Sequence, residues 1–445
     1  MLLAASTQRT IGFVILAIVF IGGLVYLFFN IRAAKGEVGS EIELAANRRD
    51  DVRDEDLEGK RLDFALGANL VMLTIIGVSL PLYWLGEPGR QAGRDVDTAR
   101  IFTNRGEEIY LEGAQCVTCH GADGTGGSTS VALTSESGDF IAQVSWDAPA
   151  LNTVFSRFSE EEVLHTLNYG RNGVMPAWGA PGGGPLTDQQ LEEVMFYLRS
   201  IQIPPERITA QVEAGVLQAV RAHLAASGEE ATDEQARQWI ADAQAVAEEA
   251  RRIAIKQDAS LALEQNAEDL RWAALDILVN GKGLDSGEEL DSDAWEQYKT
   301  YGALLFANPG TAGTYSCARC HTYGFSFGGA EEMTMRVNGR DTPIPDFEDG
   351  LNQAGGFFGP NLREGSTLAQ FESAKSHAEF IEDGQTIGAT YGRGGSGGNG
   401  QMPGFGPRVE TDTVGPGIPN DLETPYPATL TAEQIDAIVA YERTL

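Results

Sequence analysis

One pentapeptide pattern constrains this chain more than anything else in it, and it occurs twice. Cys116-Val117-Thr118-Cys119-His120 returns as Cys317-Ala318-Arg319-Cys320-His321, and all four cysteines of the chain lie in these two motifs. C-x-x-C-H is the spacing at which a c-type haem is attached covalently. The two thiols add across the vinyl groups, and the adjacent imidazole binds the iron from the proximal side. Two C-x-x-C pairs also carry enough ligands for one tetrahedral zinc, and a single pair suits a thioredoxin-like redox centre in a βαβ setting. Neither alternative accounts for a histidine directly after both second cysteines, and the βαβ setting is missing. The motifs therefore predict two covalently bound haem c groups, one on Cys116 and Cys119 and one on Cys317 and Cys320, with His120 and His321 on the irons.

The chain around the motifs repeats as well. Gly106-Glu107-Glu108-Ile109-Tyr110 ahead of the first motif matches Gly302-Ala303-Leu304-Leu305-Phe306 ahead of the second. Ile101, Phe102, Ile109, Tyr110 and Leu111 predict a short amphipathic helix leading into the first cysteines. Pro149-Ala150-Leu151 is answered by Pro360-Asn361-Leu362. Asn172-Gly173-Val174-Met175-Pro176-Ala177-Trp178-Gly179 is answered by Asn399-Gly400-Gln401-Met402-Pro403-Gly404-Phe405-Gly406. The first unit also holds a short helix, SEEEVLHTLNYG, whose acidic first turn complements the helix dipole. It closes on LTDQQLEEVMFYLRSI, an N-cap at Thr187 followed by an amphipathic helix, and LTAEQIDAIVAYERTL repeats this at the end of the second unit.

This order of parts resembles a class I cytochrome c. In that family an N-terminal helix carries C-x-x-C-H, and a proline carbonyl accepts a bond from the proximal imidazole. A loop methionine is the sixth iron ligand, and a C-terminal helix crosses the first. The resemblance implies that Met175 and Met402 bind iron opposite His120 and His321, and that Pro149 and Pro360 orient the two imidazoles. A thioether opposite histidine raises the reduction potential relative to two histidines. Met195 lies on the apolar face of the closing helix and reads as core; His165 reads as a surface or packing histidine. The second unit departs from the pattern, because a glycine-rich stretch, TYGRGGSGGNG, lengthens the span from His321 to Met402. By distance along the chain His377 matches Met175 better, and it too is a competent ligand. Yet SHAEFIEDG aligns with the short helix of the first unit, and Met402 keeps its N-G-x-M-P frame, so Met402 is preferred. Met333 and Met335 follow His321 too closely to serve. Tyr323, Phe325, Phe327, Phe357 and Phe358 are expected to wall the second haem.

Two uncharged apolar runs open the chain, Ile11 to Asn30 and Phe64 to Leu85. Each is about the length needed to cross a ~30 Å hydrocarbon core as a helix. Tyr83 and Trp84 end the second run, where interfacial aromatics anchor. The first run is too long for a typical signal-peptide core, and no A-x-A-like site follows it. Between the runs stand Arg32, Lys35, Arg48, Arg49, Arg53, Lys60 and Arg61, against Arg9 alone ahead of them. Positive-inside bias puts this connector in the cytoplasm and both chain ends outside, although Arg90, Arg94, Arg100 and Arg105 dilute the signal. The outer face is also where cytochromes c receive their haem. Gly22 and Gly23 are expected to admit close helix packing. A net charge of −32 with pI ≈ 4.4 argues against a nucleic-acid partner and suits docking to a basic protein.

Pro204-Pro205 ends the first unit. Beyond it Val212, Val216, Leu217, Val220 and Leu224, then Trp239, Ile240, Ala243, Val246 and Ala247, keep helical spacing, which predicts a helical insert acting as spacer or packing brace. The expected architecture is mainly α: a transmembrane hairpin over 1–90, a cytochrome c domain over 91–203, the insert over 204–290 and a second cytochrome c domain over 291–445. With both irons six-coordinate, no position stays open for substrate, so the expected work is electron transfer rather than catalysis. The haem-bearing half resembles the dihaem cytochrome c subunit of actinobacterial-type menaquinol–cytochrome c reductase (bc) complexes. The two N-terminal helices are nearer to the dihaem subunit of cbb3-type oxidases. These resemblances imply membrane lipid and membrane-embedded respiratory partners, either cytochrome b and Rieske subunits or oxidase subunits. They imply an electron path between a quinol-oxidising complex and a terminal oxidase, with a membrane dehydrogenase as a further alternative. A dihaem peroxidase needs a haem without its distal ligand, which Met402 opposes. A copper-bearing oxidase subunit II has no cysteines left for its metal.

Overall fold

The structure is a computed structural model that describes residues 7–34, 59–134, 140–171, 174–226, 231–283, 287–308, 316–322, 325, 327–328, 334–337, 340–343, 353–407 and 428–445. It divides into two compact units, Met1–Asp97 and Thr98–Leu445. In the first, α1 spans Thr7–Ala34 and α2 begins at Lys60. The stretch Leu62–Glu87, with mean hydropathy 1.9, is long and apolar enough to cross a membrane; Leu16–Arg32 is a shorter apolar helix. Phe64 is 78% exposed and Leu73 66%, and water would penalise such surface by about 25 cal/mol per Å². Most of the connector predicted over 31–63 falls outside the described residues. A Cβ added at Gly22 or Gly23 meets nothing within 4 Å, so no helix among the described residues packs closely on them.

α2 runs without a break from Lys60 to Glu108. The short amphipathic helix expected near 101–111 is therefore the end of the same helix that holds the second apolar run. A π-helical turn, Ile109–Gly113, follows, closed by Ala114 N–H donating to the Ile109 carbonyl at 2.7 Å. Next come α3 (Val117–His120), β1 (Gly127–Thr134), β2 (Phe140–Ala148), α4 (Glu160–Tyr169) and α5 (Asp188–Ser200). The β1–β2 hairpin is antiparallel, with Gly127 opposite Ala148, and no strand was expected there. GSTSVALT and FIAQVSWDA have the β-branched, alternating composition of strands, a signal that the helical frame of the family resemblance obscured.

The insert is α6 (Pro205–Ala225), α7 (Asp233–Gln257) and α8 (Ala267–Asn280). The second repeat is built from α9 (Ser292–Phe306), α10 (Ala318–His321), β3 (Phe327–Gly328), β4 (Thr334–Val337), β5 (Arg340–Pro343), α11 (Ser366–Gln370), α12 (Ala374–Asp383), β6 (Thr390–Tyr391), β7 (Ser396–Gly397) and α13 (Ala432–Glu442). Capping boxes start the matching helices. Thr187 with Gln190 opens α5, and Thr431 with Gln434 opens α13; each satisfies donors that a helix N-terminus otherwise leaves bare.

The insert is a brace rather than a spacer. Val216, Ala250 and Leu275 bury their side chains in one core with Tyr298, Phe306 and Ile438 of the second repeat. Arg271 on α8 reaches across to Asp436 on α13 at 2.8 Å and to Glu382 on α12 at 2.6 Å. The first repeat keeps a separate core around Tyr110, Phe155, Leu191 and Met195. The repeats meet along the free side of β2, where Ser145 pairs with Gly328 and Trp146 with Phe327. Trp146 also packs on Phe358 and Phe357, with ring centroids 5.2 and 6.4 Å apart. Arg319 donates to the Asp147 carbonyl at 3.0 Å, and Gly404 N–H to that of Arg157 at 3.1 Å.

Candidate haem sites

Each motif forms a single helical turn. His120 N–H donates to the Cys116 carbonyl at 2.9 Å, and His321 N–H to that of Cys317 at 3.0 Å. Positions i, i+3 and i+4 share one face of a helix, so both thiols and the imidazole of each motif stand together. His120 Nδ1 lies 2.9 Å from the Pro149 carbonyl oxygen, and His321 Nδ1 lies 2.9 Å from that of Pro360. A carbonyl only accepts, so Nδ1 carries the hydrogen and Nε2 keeps the lone pair that binds iron. Burial holds both imidazoles below their usual range, against the Pro149 and Pro360 carbonyls, which pull the other way. The neutral, ligating form is thereby favoured.

What holds each turn in place is a crossing of two helices. At Gly106 on α2 an added Cβ would sit 1.9 Å from the Glu193 carbonyl oxygen of α5 and 2.9 Å from Tyr197 Cβ. At Gly302 on α9 it would sit 2.0 Å from the Ala437 carbonyl oxygen of α13 and 2.9 Å from Tyr441 Cβ. Only a residue without a side chain lets the backbones come this close. One turn further on, Tyr110 packs against Tyr197 and Phe306 against Tyr441, with centroids 5.0 and 5.7 Å apart. In the first repeat, Tyr110 and Tyr197 donate to the carbonyls of Gly121 and Ala122, at 2.6 and 3.2 Å, which ties both helices to the residues just after His120.

The methionine loops match too. Arg171 N–H donates to the Met175 carbonyl at 2.9 Å, and Gln385 N–H to the Met402 carbonyl at 2.9 Å. The preceding residues, Gly170 and Gly384, have φ of +75° and +73°, and a Cβ there would come 2.4 and 2.6 Å from those same carbonyl oxygens. Met175 packs against the first repeat's core. Met402 lines a cavity of ≈ 440 Å³ together with Cys317, Cys320, His321 and Pro360. His377 is not among the residues lining it. That side chain is buried, stacked on Phe371 at 4.7 Å and 6°, with Nε2 2.9 Å from Glu442 Oε2.

Of the aromatics expected to wall the second site, Phe358 lines the cavity, while Phe357 pairs with Trp146 and Phe325 packs on the core. Tyr323 and the Phe327 side chain lie outside the described residues. Sequence reasoning missed Phe371, Phe380, Tyr391 and Phe405, which line the cavity as well. Phe405 was signalled by its place in the methionine frame, where the first repeat has Trp178. Met195 is core and His165 is exposed beside Tyr169.

The residues fit covalent haem better than the alternatives. No group of three or more histidines, cysteines or carboxylates is placed to hold a metal ion among the described residues, so the four cysteines do not gather into one zinc site. Burial pushes the Cys116 thiol up to about 11 and raises those of Cys317 and Cys320, opposite to the depressed values of reactive redox thiols. The mixed polar and aromatic cavity suits a flat macrocycle. A family model described as cytochrome c oxidase, cbb3-type, subunit III matches residues 102–198, the first repeat from the last turns of α2 through α5. No curated protein and no solved structure matches the chain. The mainly helical chain thus contains a c-type cytochrome domain, which implies covalently bound haem c and electron transfer.

Proposed function

We propose that this is a membrane-anchored dihaem cytochrome c, carrying electrons between a quinol-oxidising complex and a terminal oxidase. The observation that carries the second haem is the repeat of the first site's parts in the second: the 2.9 Å imidazole–proline contact, the glycine crossing and the methionine loop. Cys116, Cys119, His120 and Met175 would hold one haem, and Cys317, Cys320, His321 and Met402 the other. Bound there, haem supplies a one-electron couple. The chain's own part would be to fix the imidazole tautomer through Pro149 and Pro360, to offer the Met175 and Met402 thioethers as further ligands and to keep water out with aromatic walls. A bound sixth ligand leaves no place for peroxide, which sets the peroxidase reading aside. The apolar stretch of α2, with α1, would anchor the chain with residues 31–63 inside and the haem domains outside.

The match of residues 102–198 to a cbb3-type oxidase subunit favours a second placement, as the dihaem electron-entry subunit of such an oxidase. Both placements share the same chemistry and differ in partners. Purification in mild detergent decides between them. Cytochrome b and a Rieske protein in the complex indicate the reductase, a copper–haem oxidase subunit I the oxidase, and neither would refute both. Mass spectrometry of the denatured chain should show two added haems; one or none would sink the dihaem reading. Protease added to right-side-out vesicles should spare residues 31–63 and digest the haem domains, and the reverse pattern would overturn the topology.

A further inference from the structure

Arg171 stands on the loop that carries Met175, and its backbone both donates to and accepts from that methionine, at 2.9 and 3.0 Å. Its side chain leaves the loop for the other repeat. The guanidinium lies over the Phe158 ring at 4.5 Å and donates to the carbonyl oxygen of Gln401, the residue before Met402. There it lines the second repeat's cavity beside Cys320. Among the described residues it is the one formally charged side chain in that lining, whose other polar members, such as Asn361, Gln370 and Gln385, are neutral. It joins no ion pair among the described residues. Glu162 acts on it electrostatically without forming an ion pair, and a guanidinium drawn away from bulk water without such a pair is costly. The cavity is therefore built for a guest that brings its own anion, and haem carries two propionate carboxylates.

We propose that Arg171, a residue of the first repeat, belongs to the second repeat's haem site, where it is the counter-cation of a propionate and raises that haem's reduction potential. The proposal rests on the dihaem reading above. A charge-assisted Arg–carboxylate bond holds the guest's edge, and a nearby cation favours the reduced centre, which is the less positive of the two. The first repeat thus sets a property of the second through one side chain.

The test is a redox titration of the full-length holoprotein in detergent, with haems counted by mass. The Cys317→Ala/Cys320→Ala form, which keeps the first haem alone, supplies the spectrum and potential that identify each haem. Arg171→Gln should retain two haems and shift the electron of the half-reduced protein about tenfold toward the first haem, about 59 mV for a one-electron couple. Arg171→Lys should recover most of that shift. In the Cys317→Ala/Cys320→Ala background, Arg171→Gln should leave the remaining potential where it was. If Arg171→Gln fails to acquire the second haem and Arg171→Lys acquires it, the proposal also stands. An unchanged partition with both haems present overturns it, as does a shift confined to the first haem or an equal shift in the lysine variant. Loss of the second haem from both variants assigns Arg171 to packing and overturns it too. One haem in the unaltered chain removes the dihaem reading itself, whereas two haems with no shift removes this inference alone.

Discussion

His377 is engaged elsewhere. Its Nε2 faces Glu442 at 2.9 Å and its ring lies flat on Phe371, while Met402 lines the cavity with His321. Two substitutions separate these roles. Met402→Ala should open a site that binds carbon monoxide in the reduced protein and erase the sulfur–iron charge-transfer band of one haem. Met402→His should keep six ligands and lower that haem's potential. His377→Ala should preserve the band and destabilise the fold by about 3 kcal/mol in a urea titration, because Glu442 is left buried without its partner. Loss of the band in His377→Ala, with Met402→Ala silent, would reverse the assignment. Asp436 is a residue whose titration is readable. Burial pushes its carboxyl up to about 6, although Arg271 pulls the other way. An unfolded aspartate titrates near about 3.9, so the folded chain binds an extra proton between about pH 4 and 6. Stability contributed by this group falls as pH rises through that window and is level above it. Asp436→Asn should flatten that part of the profile, by up to about 3 kcal/mol, in denaturation series run from pH 4 to 7.

Helix crossings carry the sites at the next scale. Gly302→Ala forces a Cβ to within 2.0 Å of the Ala437 carbonyl oxygen, so α9 and α13 must part, at a cost of about 1–3 kcal/mol. Thermal unfolding should begin earlier and the second repeat should lose its sulfur–iron charge-transfer band before the first; Gly106→Ala should reverse that order. Equal loss from both repeats would show that the crossings are not what holds each motif. The sequence made these crossings legible only as a repeat, Gly106 opposite Gly302, because a glycine's neighbours in space are not written beside it. The C-x-x-C-H turns, the two proline contacts and the capping threonines were readable because each depends on residues a few positions apart or on a frame that recurs. The hairpin, the length of α2 and the choice between spacer and brace were not. Arg271 meets Asp436 only once the insert folds back on α13, and Arg171 reads as a plain loop cation until its side chain enters the other repeat.

At the scale of the molecule, two repeats with separate helix crossings should load haem separately. Cys317→Ala with Cys320→Ala should remove one haem by mass and leave the spectrum of the first, and loss of both would show that the sites are assembled together. High-salt washing should leave the chain in the membrane, since spanning helices anchor in a way that charge screening does not reverse; release into the wash would rule the anchor out. The two-residue strand β3 has a different bearing. It covers β2 at Ser145 and Trp146, and the rings that shelter Trp146 also come from the second repeat. Chains are synthesised from the N-terminus, so the first repeat must wait through the whole insert with a strand edge and an indole uncovered. Such an edge invites pairing with a neighbouring chain. A ribosome that stalls after β2 and before codon 327 therefore releases a sticky fragment, and the same polypeptide brings its own protective cover only once the whole insert has been made.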